Sequence, residues 1–107
     1  MIISFKNDDR LYENWCRLNS EGFVLNRASL TTKKPENNKI HMASCTHLNR
    51  SIGQGLQTFN IPKVCSRHLT SLIEEAHILC GEEWNMCQMC KKKLEKDIQY
   101  SNLVQQR

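Results

Sequence analysis

Residues 39–45 read KIHMASC and residues 85–93 read NMCQMCKKK. The first stretch pairs His41 with Cys45 across three residues; the second pairs Cys87 with Cys90 across two. A CxxC at a loop-to-helix junction lets two sulfurs converge on one ion, because the first helical turn brings them together. HxxxC supplies a second pair with a spacing that zinc knuckles also use. Together the four side chains make a Cys₃His set, a closed tetrahedral shell for Zn(2+). The pairs are separated by residues 46–86, a long gap for a zinc finger, so the chain between them has to fold back on itself. The strand at 59–65 and the helix at 67–80 fill that gap and are expected to make the return.

The chain has 107 residues and six cysteines. A domain of this size buries a modest fraction of its surface and gains from a staple. Whether cysteines serve as ligands or as disulfides depends on compartment. The N-terminal MIISFKNDDR lacks the apolar run and cleavage site of a secretory signal. No segment approaches the roughly eighteen apolar residues of a membrane span. The expectation is a single cytoplasmic domain over residues 1–107, where a CxxC is more often a metal or redox site than a structural cystine.

Periodicity and caps outline the elements. Residues 8–18, DDRLYENWCRL, read as a helix capped by Asp8 or Asp9, with Leu11, Tyr12, Trp15 and Leu18 on its apolar side. GFVLN at 22–26 is a short strand, and 31–39 a loop. Residues 40–43 are extended, with Ser44 capping a helical turn through Leu48. A glycine-containing loop covers 49–58, and FNIPKVC at 59–65 is a strand with Pro62 at an edge or bend. Ser66 is the expected cap of a helix with the stripe Leu69, Leu72, Ile73, Ala76 and Leu79–Cys80, stopped by Gly81. A last helix starts near Met86. The fold class is therefore α+β, a small zinc-stapled domain with about three short strands and about three helices.

The remaining thiols and imidazoles have plainer readings. Cys16, Cys65 and Cys80 lie on apolar stripes or strand alternation and read as small core hydrophobes. His68 and His77 read as solvent-facing, and His47 is a reserve ligand. A thioredoxin-like redox role for Cys87 and Cys90 lacks both a preceding βαβ pattern and a proline between the cysteines.

IHMASC followed by MCQMC resembles the zinc domain of the Ada-type DNA-alkylation-repair proteins. KVCS and SRHLTSLIEEAHILC stand at the intervening strand and helix. The resemblance implies an Ada-like metal-binding fold and metal-ligand roles for Cys45, Cys87 and Cys90. In that family the methyl-accepting thiolate is the first ligand of the first pair. His41 holds that position here, and an imidazole cannot be the sacrificial thiolate, so methyl-phosphotriester repair is not implied. A wider pattern (Tyr12 and Trp15, GFVLN, IHMASCTHL, KVCS and the CxxC) resembles an uncharacterised bacterial domain that accompanies restriction-type nucleases.

A closed Cys₃His site leaves no position for water, and there is no carboxylate pair, Ser/His/Asp grouping or phosphate loop. An enzyme is not expected, nor a small-molecule substrate, nor a membrane partner. The net charge of +4 permits nucleic-acid binding without arguing for it. Lys91, Lys92, Lys93 and Lys96 beside the CxxC, extended by Arg50, Lys63 and Arg67, form the candidate phosphate-contacting set. The plain reading of KKKLEK is the solvated face of a helix. The alternative function is a protein-interaction module, an inhibitor or adaptor (phage- or mobile-element-encoded proteins have this form) that modulates a larger enzyme.

Overall fold

The computed structural model describes residues 1–27, 38–45, 48, 58 and 61–105, with side chains through residue 96. Among the described residues the chain forms five strands and three helices. They are β1 (Ile2–Phe5), α1 (Asp9–Leu18), β2 (Phe23–Asn26), β3 (Lys39–Met42), β4 (Lys63–Ser66), α2 (Leu69–Cys80), β5 (Asn85–Met86) and α3 (Gln88–Gln105). The sheet order is β1-β4-β2-β3-β5, antiparallel except for the parallel β3–β5 pair at one edge.

The α+β class is as expected, but with five strands where the sequence suggested about three. The two additions are the outermost strands. IISF at the N-terminus alternates too briefly to stand out, and it becomes a strand by pairing Ile3 with Cys65 and Ser4 with Val64. β5 is two residues long and exists because β3 accepts it. Neither has a local signal, since short strands are specified by their neighbours.

Alternation along the strands divides the core. Ser4, Val64, Leu25, Ile40 and Met86 form one cross-strand row. Leu25, Ile40 and Val64 from this row join Phe23 against Leu72 and Ala76 of α2. The adjacent row, Ile3, Cys65, Val24 and His41, belongs to the opposite face. There Val24 and Cys65 pack with Phe5 and with Tyr12 and Cys16 of α1. The result is a sheet with α1 on one face and α2 on the other.

The helix readings need adjusting at their ends. Asp8 is the N-cap of α1, its carboxylate accepting from the Leu11 N–H at 3.1 Å. The buried residues of α1 are Tyr12 and Cys16, whereas Leu11 and Leu18 are 57% and 70% exposed, so the inward face is narrower than the apolar residues suggested. Gly22 sits where α1 meets the sheet: a Cβ there would come within 2.8 Å of the Trp15 ring and 3.2 Å of the Ser66 carbonyl. Ser66 is not the cap of α2; it ends β4 with its hydroxyl accepting from the His68 N–H, and the helix begins at Leu69. Gly81 closes α2 at φ 61°, as its position suggested. Of the strand expected at 59–65, residues 61 and 62 are not strand and Lys63–Ser66 is, while 59 and 60, like most of the segments expected as loops at 31–39 and 49–58, lie outside the described residues.

Candidate metal centre

His41 is the third residue of β3, and its register opposite Val24 puts it on the α1 face of the sheet. The chain then turns, with the Ala43 N–H donating to Gly22 O at 2.9 Å and the Cys45 N–H to Met42 O at 2.9 Å. That turn carries the Cys45 thiol back beside His41. The second pair arrives through β5. Ile40 is in register with Met86, and the Cys87 N–H donates to Ile40 O at 2.9 Å, so Cys87 is locked next to β3. Asn38, fully buried, reinforces the approach: its side-chain amide donates to Glu83 O at 2.8 Å and its carbonyl accepts from the Asn85 N–H at 2.9 Å. Cys90 follows in the first turn of α3.

The ligand atoms of His41, Cys45, Cys87 and Cys90 all lie within 4.8 Å of one another, and all four residues are buried. The Cys45 and Cys87 sulfurs are 4.0 Å apart. Zn–S bonds of about 2.3 Å in a tetrahedron require sulfurs about 3.8 Å apart, so the cluster has the dimensions of a metal shell. The Met42 N–H donates to the Cys90 sulfur at 3.2 Å, the kind of support that orients a ligating thiolate. No disulfide competes, since all six cysteines are free thiols.

The electrostatics fit the same use. Burial alone would raise the Cys87 thiol, but the backbone N–H groups of Cys90 and Met89 outweigh it and bring it below its ordinary value. Cys90 is pushed up to about 12, first by burial and then by the neighbouring Cys45 and Cys87 sulfurs, against the Met42 N–H. Three thiolates crowded in a buried site repel one another unless a cation sits among them, and a bound metal deprotonates its thiols.

The other named residues divide clearly. Lys91, Lys92, Lys93 and Lys96 are exposed on α3, and Arg67 is exposed between β4 and α2. Lys63 is not on that surface. It is 7% exposed, donates to Asn26 Oδ1 at 2.7 Å and lies 6.0 Å from the centre of the Tyr12 ring. Strand alternation explains the correction, because Lys63 shares the face of Cys65. Arg50 and the reserve ligand His47 lie outside the described residues. Cys16 and Cys65 are buried as expected, and burial raises both thiols above their ordinary value. Cys80 is half-buried, while His68 and His77 are exposed, His77 edge-on to Trp84.

Sequence reasoning missed the residue that anchors α1. Thr58 is fully buried. Its hydroxyl accepts from the Asp8 N–H at 2.6 Å, and both its N–H and its hydroxyl donate to Asp9 Oδ1, at 2.6 and 2.7 Å. Its carbonyl accepts from Asn7, whose φ is 56°. A threonine in the sequence GLQTFN carries no local signal for such a role; only the two aspartates opening α1 hinted at a partner. No described helix is long and apolar enough to cross a membrane. No family model matches the chain, and no curated protein or solved structure is similar to it.

Proposed function

We propose that the protein is a small zinc-stapled module that contacts nucleic acid through the basic start of α3, with the zinc structural and not catalytic. The observation that carries the metal half is the buried cluster of one imidazole and three thiols at coordination distance. Three sulfurs and a nitrogen favour zinc over harder cations, and four protein ligands leave no position for substrate or water. Zinc would join the turn after β3 to the start of α3, adding to the β3–β5 pairing and the Met42–Cys90 contact that already connect them.

The nucleic-acid half rests on the exposure of Lys91, Lys92, Lys93 and Lys96 on the helix that the metal site anchors. Ammonium groups on a fixed helix attract phosphates and release counterions without reading bases. The test is duplex-DNA binding across salt concentrations, each phosphate contact contributing a slope of about −0.9 on logarithmic axes. Replacing Lys91, Lys92 and Lys93 together by Ala should flatten the slope, weaken binding and leave zinc content unchanged. A parent protein that fails to bind at about 50 mM salt, or a triple variant that binds equally well, removes this half of the reading.

One observation favours the protein-interaction alternative. Leu11 and Leu18 of α1 are exposed, and Leu11 borders a groove that also includes Arg10, Asn14, Cys16 and Ala43. If DNA binding fails, this surface is the one to probe for a protein partner.

A further inference from the structure

A small cavity of about 180 Å³ touches the metal cluster, lined by Met42, Ser44, Cys45, Met89, Cys90 and Lys93. It reaches two of the three sulfur residues from outside; Cys87 does not line it. Cys45 is 8% exposed, the most of the three, against 5% for Cys87 and 3% for Cys90. The Cys90 sulfur is additionally engaged by the Met42 N–H, which draws electron density from it. Cys45 is thus the thiolate that a small neutral reagent meets first. Behind it, 4.0 Å away, stands the Cys87 sulfur.

We propose that this is an oxidation site, with Cys45 the thiolate that reacts with a peroxide and Cys87 the thiolate that resolves it, closing a disulfide and ejecting the metal. The inference rests on the metal reading of the cluster. In the first step the Cys45 sulfur attacks one peroxide oxygen and the O–O bond breaks. Cys45 becomes a sulfenic acid, and the other oxygen leaves as hydroxide and takes up a proton. In the second step the Cys87 sulfur attacks the Cys45 sulfur, the S–O bond breaks, and a second hydroxide leaves and is protonated. Two thiolates, one hydrogen peroxide and two protons give one disulfide and two waters. The ammonium of Lys93, lining the same cavity, offers positive charge beside the departing hydroxide.

Bond formation asks the two sulfurs to close from 4.0 Å to about 2.05 Å, within reach of side-chain rotation. Losing two of its three thiolates, the metal is no longer held. The new bond joins the same two segments that the metal joined, the turn after β3 and the start of α3. Oxidation therefore exchanges one staple for another, and reduction in the presence of zinc restores the first.

The test treats the unmodified, zinc-loaded chain with hydrogen peroxide while a chromogenic chelator reports free zinc. The product is then alkylated and its peptides mapped by mass. One zinc per chain should be released as the protein loses two hydrogens in mass. Cys45 and Cys87 should appear in one linked peptide, with Cys16, Cys65, Cys80 and Cys90 alkylated. Dithiothreitol and zinc should reverse both changes. Ser44→Phe, which fills the cavity without replacing a ligand, should slow release by about threefold or more at unchanged zinc content. Retention of zinc under peroxide, a Cys87–Cys90 linkage, sulfinic acid without a disulfide, or an unchanged rate in Ser44→Phe overturns the proposal. A chain that binds no zinc in native mass spectrometry overturns the metal reading and this inference with it. One that binds zinc and keeps it under peroxide overturns the inference alone.

Discussion

Under α2 the sheet meets hydrocarbon: Phe23, Leu25, Ile40 and Val64 pack against Leu72 and Ala76. On the other face Val24 and Cys65 of the same strands meet Tyr12 and Cys16, with the ligands Cys45, Cys87 and Cys90 in the same cluster. Three of the buried polar residues, His41, Thr58 and Lys63, are tied to that second side. The contrast separates two ways of holding a small sheet. Hydrocarbon packing needs no partner, since area removed from water stabilises at about 25 cal/mol per Å² whatever the atoms' orientation. Ligand thiols, an imidazole and an ammonium stabilise only when each finds its counterpart, because an unmatched buried polar group costs roughly 1–3 kcal/mol. The α2 face should therefore tolerate apolar changes that keep volume, and the α1 face should fail abruptly.

The largest expected effect is on the metal edge. Cys87→Ser should lose zinc and most of the fold, because zinc binding in a small domain is folding free energy, about 10 kcal/mol or more for structural sites in peptides. Native mass spectrometry and circular dichroism read both losses together. Retention of one zinc per chain by this variant would erase the distinction between the faces.

On the hydrocarbon side, Leu72→Ala should cost about 2–5 kcal/mol by leaving a cavity beneath α2, read from the shift of the urea midpoint. Zinc stoichiometry should stay at one, since Leu72 belongs to the other cluster. Loss of metal here would mean that the faces are coupled more tightly than the packing implies.

Lys63 gives a pH-dependent comparison. Burial brings its ammonium down to about 8, against partial compensation from Cys65, Asp9 and Cys16. Between about pH 8 and the ordinary lysine value near 10.4, the unfolded chain therefore holds more protons than the folded one. The cost of burying the charge is fully present below about pH 8 and is relieved as pH rises through that window. Stability of the parent relative to Lys63→Met should rise by about 1–3 kcal/mol from pH 7.5 to 10. Taking the difference between the two proteins cancels the pH dependence of the metal ligands. A flat difference would remove Lys63 from the list of groups that strain the α1 face.

The smallest effect is at Thr58. Thr58→Val keeps the shape and removes the hydroxyl between the Asp8 N–H and the Asp9 carboxylate, and should cost about 1–2 kcal/mol. A larger loss by urea denaturation would show that Thr58 holds the start of α1 through more than its two hydroxyl bonds.

Much of this was legible in the residues. His41, Cys45, Cys87 and Cys90 could be chosen from ten cysteines and histidines because HxxxC and CxxC are local spacings that put donors on one side of a turn. α2 was legible because Leu72 and Ala76 repeat with the helix, and Gly81 because a helix ends well in the left-handed region. Such signals lie within a few residues of each other, where covalent geometry limits the choices. What tertiary structure alone decided is everything that depends on a neighbour distant in sequence. Lys63 reads as a surface charge until β4 is laid between β1 and β2, which turns its side chain inward under Tyr12. The five-stranded sheet emerges only when β1 and β5 find β4 and β3, since two to four residues have no strand preference strong enough to stand alone. The metal cluster itself shares this dependence. Its ligand types were local, but its closure over residues 46–86 rests on the parallel register of Ile40 with Met86, and a pairing between strands is a property of the fold, absent from either segment.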